Sequence, residues 1–123
     1  MKLTEAEEQL MEIIWSADSV FMKDIIDAYP EPKPAVTTIA TLLKRMQNKK
    51  FVGYNLMGNS RQYYPLVAKS AYFSKQVNGL IKNFFGSSAM QFASFFTTET
   101  NLTSAELEDL KKIIDDELKR KKQ

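Results

Sequence analysis

The chain of 123 residues contains no cysteine and no histidine. Thiolate nucleophiles, zinc fingers, Ser-His-Asp triads and imidazole acid–base catalysis are therefore excluded. The nucleotide-binding patterns GxGxxG and GxxxxGK[ST] are also missing. We accordingly expect a protein that is not an enzyme and that has no catalytic residues, no metal site and no cofactor.

Long apolar runs are missing as well. No stretch approaches eighteen uncharged apolar residues, so no membrane-spanning segment is expected. The first residues, 1–5, already include the acidic Glu5 and lack the apolar core of a signal peptide. With 44% hydrophobic and 26% charged residues, the composition is that of a soluble globular domain. These features predict a cytoplasmic protein with one domain, or one small domain and an assembly element.

Acidic residues are absent from the middle of the chain. None occurs between Glu31 and Glu99, although nine lysines and arginines lie in that segment. The net charge of the whole chain is only +2, which conceals this basic block. A basic block that also contains apolar elements indicates a surface for a polyanion such as nucleic acid. A solvated basic face without a partner is the alternative.

Local patterns predict two helices at the start of the chain. Thr4 and Glu7 form a capping box that opens the first helix, which should end near residues 16–18. A short extended piece at 20–21 precedes a second helix over 23–29. The proline-rich segment that follows cannot continue this second helix.

A third helix and a β-hairpin are predicted next. The helix covers 35–49 and should bury one stripe at 3.6-residue spacing. The members of this stripe are Val36, Ile39, Leu42, Leu43 and Met46. Two strand-like runs over 51–57 and 61–66 meet at Gly58-Asn59-Ser60, which is typical of a hairpin.

Three helices followed by a hairpin is the element order of a winged helix-turn-helix, in which the third helix enters the major groove. We therefore predict a mainly α fold, with a winged-helix DNA-binding domain and β-hairpin wing over 1–68 and a helical dimerisation region over 69–123. Small hydroxyl and basic side chains suit phosphates and base edges. The predicted DNA contacts are Lys33, Thr37, Thr38, Thr41, Lys44, Arg45, Asn59 and Arg61. Surface threonines without a ligand are the alternative to DNA contact. Trp15 and the Tyr63-Tyr64 pair are predicted to pack in the core and the hairpin, with base stacking as their alternative.

A polar link over 97–101 and a second capping box, Thr103 with Glu106, precede the last helix of the second half. This half has apolar helical stripes but no further sheet to cover them. Two protomers would bury these stripes against each other in a two-fold dimer; folding back over the first domain as a monomer is the alternative. The predicted dimer contacts are Phe73, Val77, Leu80, Ile81, Phe84, Leu107, Leu110 and Ile114.

Several segments, taken in order, resemble the penicillinase repressor family (BlaI/MecI type) of bacterial winged-helix repressors. They are 3–7 (LTEAE), 13–15 (IIW), 38–46 (TIATLLKRM), 49–52 (KKFV), 63–66 (YYPL) and 102–107 (LTSAEL). The resemblance covers nearly the whole chain. Thr38, Thr41 and Arg45 match the family, whereas some members have lysine and arginine in place of Thr37 and Ala40.

This resemblance implies a homodimeric repressor that binds double-stranded DNA at palindromic operators. In the family, a membrane sensor-protease releases the repressor by cutting its C-terminal half at an Asn-Phe bond. The corresponding bond here is Phe95-Phe96, where no asparagine stands. The copper-sensing branch, which uses a cysteine-rich tail, is excluded because the chain lacks cysteine.

Two other classes of function remain open at this stage. One is a winged-helix module that binds protein and not specific DNA. The other is a hydrolase, which would need a buried carboxylate. Glu12 and Asp24 are the acids close to predicted apolar faces, and we expect both to lie on the surface.

Overall fold

The computed structural model describes residues 2–123, which form six α-helices and three β-strands. The elements are α1 (Glu5–Ala17), β1 (Val20–Phe21), α2 (Met22–Ala28), α3 (Val36–Asn48), β2 (Val52–Met57), β3 (Ser60–Pro65), α4 (Lys69–Phe84), α5 (Ala89–Glu99) and α6 (Ser104–Lys121). The predicted mainly α fold with a β-hairpin wing is confirmed. Among the described residues no helix is both long and apolar enough to cross a membrane.

The capping box predicted for α1 is present. The Glu7 amide donates to Thr4 Oγ1 at 3.2 Å, and the Thr4 amide donates to Glu7 Oε1 at 2.9 Å. Acidic side chains in the first turn also complement the positive end of the helix dipole. The helix ends at Ala17, inside the predicted window.

The three strands form one antiparallel sheet in the order β1-β3-β2. Strands β2 and β3 form the wing, joined by the two-residue turn Gly58-Asn59. Gly58 has a φ of +67°, a conformation that glycine adopts without steric cost. The extended piece at 20–21 pairs with β3, with Val20 opposite Tyr63, which was not predicted.

The core of the first half lies between α1, α2, α3 and the base of the wing. Its fully buried apolar side chains are Leu10, Met11, Ile14, Ile25, Ile39, Leu43, Met46 and Val52. The predicted stripe of α3 is buried from Ile39 onward. The prediction for Val36 was wrong: it is 53% exposed, because this first residue of α3 lies beyond the buried part of the helix.

Aromatic rings attach the start of α4 to this core. Trp15 packs on Tyr72 and on Phe73, with ring centroids 5.9 Å apart in each pair. The Trp15 indole also donates to the Val67 carbonyl at 2.8 Å. Packing roles are thereby confirmed for Trp15 and for Tyr63, which is 6% exposed.

The chain divides into two compact units, one ending at Gln76 and the other comprising Val77–Gln123. The boundary lies inside α4, whereas the sequence pattern placed it at 68/69. Tyr72 accounts for the difference, because it is only 3% exposed and belongs to the core of the first unit.

Replacing Tyr72 by phenylalanine should destabilise the first unit. The Tyr72 hydroxyl donates to Glu8 Oε2 at 2.8 Å and accepts from the Leu3 amide at 2.9 Å. Loss of both bonds should lower the free energy of unfolding by about 1–3 kcal/mol, measured by urea denaturation. Tyr64→Phe is the control, since Tyr64 takes part in neither bond. Equal stability of the two variants would contradict the structural role of the hydroxyl.

In the second unit, aromatic side chains of α5 pack on Phe85. Its ring lies 5.5 Å from that of Phe92 and 5.4 Å from that of Phe95. Helix α5 continues to Glu99, so the predicted polar link over 97–101 is shorter than expected. The reason is local: the hydroxyls of Thr97 and Thr98 donate to carbonyls one turn earlier and do not interrupt the helix. The second predicted capping box, at the start of α6, is present.

Candidate nucleic-acid interface

The side of α3 opposite the core is exposed to solvent. Its side chains, which we call the α3 face, are Thr37, Thr38, Ala40, Thr41, Lys44, Arg45 and Asn48. The Thr41 hydroxyl donates to the Thr37 carbonyl at 2.9 Å. This bond occupies the hydroxyl proton and leaves the methyl group and the oxygen lone pairs for a ligand. The α3 face therefore offers methyl groups, hydroxyl oxygens and two cations, and none of its members is acidic.

Two depressions adjoin the α3 face. One is lined by Thr37, Thr38, Thr41, Leu42 and Arg45. The other, which we call the wing groove, is lined by Ala40, Lys44, Gln47, Asn48, Tyr54, Arg61 and Tyr63. The wing groove brings together Lys44 of α3 and Arg61 of the wing, two cations that are distant in sequence. A groove with cations on both walls suits an anionic backbone.

Arg61 is held by an aromatic ring of the neighbouring strand. Its guanidinium carbon lies 4.2 Å from the centroid of the Tyr54 ring, which is a cation–π contact. In the observed register Tyr54 pairs with Tyr63 and Leu56 with Arg61, so all four side chains share one side of the wing. Tyr54 was missed as a site residue because only the register reveals that it supports Arg61.

The remaining two predicted DNA contacts lie outside both depressions. Asn59 is exposed at the tip of the wing. Lys33 Nζ donates to three carbonyls at the end of α2, those of Ile26 (3.0 Å), Asp27 (3.2 Å) and Tyr29 (2.6 Å). These bonds hold the ammonium on the C-terminus of α2, where the helix dipole favours a cation.

The predicted dimer contacts lie on α4 and α6, and none of them is buried in the single chain. Ile81 and Leu110 are half-buried. The exposed members of the set are Phe73, Val77, Leu80, Phe84, Leu107 and Ile114. Phe73 differs from the others because it belongs to the first unit, where its ring packs on Trp15.

Within residues 2–123, the buried charged side chain is that of Glu7, with an exposed fraction of 0%. Lys49 Nζ donates to both of its oxygens, at 3.0 and 2.9 Å, and Arg45 Nη1 lies 3.6 Å from Oε2. The carboxylate of α1 thus forms hydrogen bonds with Lys49 and a longer ion pair with Arg45, near the end of α3.

The two acids that the sequence placed near apolar faces are on the surface, as expected. Glu12 is exposed and pairs with Lys69 at 2.8 Å, while Asp24 accepts from the Phe21 amide at 3.1 Å. The sequence analysis did not predict that Glu7 is buried, because its part in the capping box already accounted for an acid at this position. Its spacing from Leu10, Met11 and Ile14 places it on the buried side of α1, and this spacing was the available signal.

The surroundings of Glu7 also decide its charge. Burial disfavours its ionised form, but the Thr4 amide and the Lys49 ammonium outweigh this effect and hold the pKa of Glu7 below its usual value. Because the pKa is lower in the folded state, Glu7 contributes stability above its unfolded pKa. That contribution is lost as the pH falls through the folded value. At neutral pH the carboxylate is therefore ionised.

Solved structures of related architecture are winged-helix regulators of the MarR type. A mutant form of MarR from E. coli superposes with a TM-score of 0.52 at 16% identity, over 95% of this chain and 79% of that one. Wild-type MarR from E. coli in its apo form gives a TM-score of 0.51 at 16% identity, over 94% and 78%. At this identity the likeness establishes the fold alone.

Sequence comparison is more specific. A penicillinase repressor of Bacillus licheniformis is 22% identical over 123 residues, which is 99% of this chain and 96% of that protein. The family model for the penicillinase repressors matches residues 3–116, from the start of the winged helix into α6. The chain therefore belongs to the penicillinase repressor family.

Proposed function

We propose that this protein is a homodimeric transcriptional repressor that binds palindromic operators through the α3 face and the wing. The coarser part of this statement, a DNA-binding transcriptional repressor, follows from the family and the fold. The observation that carries the proposed DNA-binding surface is the wing groove, where Lys44 and Arg61 face one space beside the α3 face. This is the arrangement by which a helix in the major groove and a wing on the backbone engage one duplex.

Each part of the surface has a chemical counterpart on DNA. The methyl groups of Thr37, Thr38 and Thr41 suit the methyl group of thymine, and the hydroxyls of Thr37 and Thr38 suit phosphates. Arg45 has donors for guanine O6 and N7 or for a phosphate, and Lys44 and Arg61 face the backbone. Lys33 and Asn59 are proposed as flanking backbone contacts. Val36, exposed at the start of α3, adds a further apolar contact that the sequence did not predict.

The proposed dimer is supported by apolar side chains that the second unit does not bury. Helices α5 and α6 have no buried residue within the described chain. Phe84 is 76% exposed and Ile113 is 63% exposed. Ile113, Ile114 and Leu118 line one depression on α6. A second copy related by a two-fold axis would cover these side chains and place two α3 helices on two half-sites of a palindrome.

Release of the repressor by a membrane sensor-protease is part of the proposal. The bond predicted for cleavage joins Phe95 and Phe96, which lie within α5. The Phe96 ring stacks on that of Phe92, with centroids 6.2 Å apart, so α5 must unwind locally before a protease can bind this bond. Cutting there would separate Phe96 from Phe92, on which its ring stacks.

Fluorescence anisotropy tests DNA binding directly. Labelled duplex from the protein's own upstream region is compared with a scrambled duplex of the same length at several salt concentrations. We expect tight binding to the native duplex alone. Equal, weak binding to both would contradict a sequence-specific repressor and would direct attention to protein partners.

Replacing Arg45 by alanine should weaken operator binding by about 1–3 kcal/mol, or about 5- to 150-fold, because a base or phosphate contact is lost. The measurement is the same anisotropy titration. Arg120→Ala is the matched control, since Arg120 lies on α6 and pairs with Glu117. An affinity unchanged by Arg45→Ala would remove Arg45 from the interface.

A further inference from the structure

The Glu7 carboxylate binds its neighbours unequally. Oε1 accepts from the Thr4 amide at 2.9 Å and from Lys49 at 3.0 Å, and Oε2 accepts from Lys49 at 2.9 Å. Arg45 Nη1 lies further away, 3.6 Å from Oε2, which exceeds hydrogen-bond distance. Glu7 therefore fixes Lys49 firmly and attracts Arg45 without binding it closely.

The two cations consequently differ in what they can offer DNA. The side chain of Lys49 is 28% exposed and its ammonium is neutralised by Glu7, whereas that of Arg45 is 47% exposed. A guanidinium has five donors in a rigid fork, and the contact with Glu7 engages one edge of it. The other edge remains available to a base or a phosphate. The ionic attraction of Glu7 biases the guanidinium toward one orientation, so Arg45 loses less side-chain entropy when it binds.

We propose that Glu7 is a positioning residue for DNA recognition, which acts through Arg45 by orienting its guanidinium on the α3 face while it withholds Lys49 from the phosphates. This inference deepens the proposed function and rests on it. Under this proposal, a buried carboxylate of α1 contributes to the choice of DNA sequence by the α3 face. A negative charge beside a DNA-binding surface would otherwise only oppose binding.

The proposal predicts opposite effects on specific and non-specific binding. Glu7→Gln keeps the shape of the side chain and removes its charge. Arg45 then loses its orientation, so affinity for the operator falls. Lys49 is released toward phosphates, so affinity for a scrambled duplex stays equal or rises. A role of Glu7 in folding alone would lower both affinities in the same proportion.

The test is a double-mutant cycle on the full chain, measured by anisotropy with operator and scrambled duplexes. The variants are Glu7→Gln, Arg45→Ala and their combination. We expect Glu7→Gln to lower the ratio of operator to scrambled affinity by about 5- to 100-fold, the range for one oriented base contact. In the Arg45→Ala background Glu7→Gln should have no further effect on this ratio. The salt slope should steepen by about 0.9 per protomer as Lys49 becomes free.

Glu12→Gln is the matched control, because it removes the same charge from the exposed side of α1. It should leave the ratio unchanged. The role of Glu7 would be overturned if the two substitutions had additive effects on the affinity ratio, or if Glu7→Gln lowered the affinity for both duplexes equally. Either result would leave the repressor proposal intact. Wild-type protein that does not distinguish the two duplexes would overturn the proposed function itself, and the positioning role with it.

Lys49→Met provides a second test if Glu7→Gln fails to fold. Without Lys49, the carboxylate keeps Arg45 as its cation and draws the guanidinium away from DNA. The affinity ratio should again fall, and only when Arg45 is present. A ratio that Lys49→Met leaves unchanged would overturn the positioning role.

Discussion

Replacing Leu110 and Ile114 by aspartate should convert the protein into monomers and weaken operator binding by at least about 100-fold. Ile114 is 57% exposed in the single chain, and Leu110 lies one turn before it on α6. Two carboxylates in the proposed apolar interface would remain unpaired and desolvated, which should prevent the two protomers from associating. A monomer also loses the gain that comes from binding two linked half-sites. Sedimentation equilibrium measures the first effect and anisotropy the second.

The control places the same two charges elsewhere on α6. Ser104→Asp and Ala105→Asp lie in the exposed first turn, where acidic side chains favour the helix. This variant should remain dimeric and bind the operator normally. If the Leu110 and Ile114 variant stays dimeric, the interface lies on other apolar side chains of the second unit. If the wild-type protein is monomeric, the second unit is covered in another way.

Raising the salt concentration fourfold, from 50 to 200 mM, should weaken operator binding by roughly 10⁴-fold. Four exposed cations on each protomer, Lys44, Arg45, Lys50 and Arg61, lie on or beside the α3 face and the wing. About eight phosphates neutralised by a dimer give a slope of roughly −7 in a plot of log affinity against log salt. Lys49 is left out of this sum because Glu7 holds its ammonium group. Lys33, although proposed as a flanking contact, is left out because its ammonium must leave the carbonyls at the end of α2 before it can contact a phosphate.

Titrations with the operator duplex at five or more salt concentrations measure this slope. Lys44→Gln should reduce its magnitude by about 0.9 per protomer, whereas Lys122→Gln, at the far end of the chain, should not change it. A flat salt dependence would contradict phosphate binding and would favour a winged-helix module that recognises protein.

The helices and the wing could be predicted because their signals are local. Capping boxes at Thr4 and Thr103 fix two helix starts, and the alternation around Gly58 fixes the hairpin. The pairing of β1 with β3 could not be predicted, since a two-residue strand has no pattern of its own.

The site was predictable to the extent that α3 has two distinct sides. The apolar spacing from Ile39 to Met46 also identifies the residues that point away from the core. The contact partners of the charged side chains were not predictable. Glu7 contacts Lys49 across 42 residues of sequence, and Lys33 turns back to the carbonyls of α2. Such contacts depend on how the elements pack and not on the residues beside them.

The boundary between the units constrains how this protein can be recombined with its relatives. Many modular proteins exchange domains at loops, where an extra residue has little effect. Here the boundary falls between Gln76 and Val77, in the middle of a continuous helix that begins in the core at Tyr72. Each residue inserted there would turn the following part of α4 by about 100° and advance it by about 1.5 Å. A chimera joined at this boundary must therefore keep α4 helical across the junction, and its residues must be counted in helical turns.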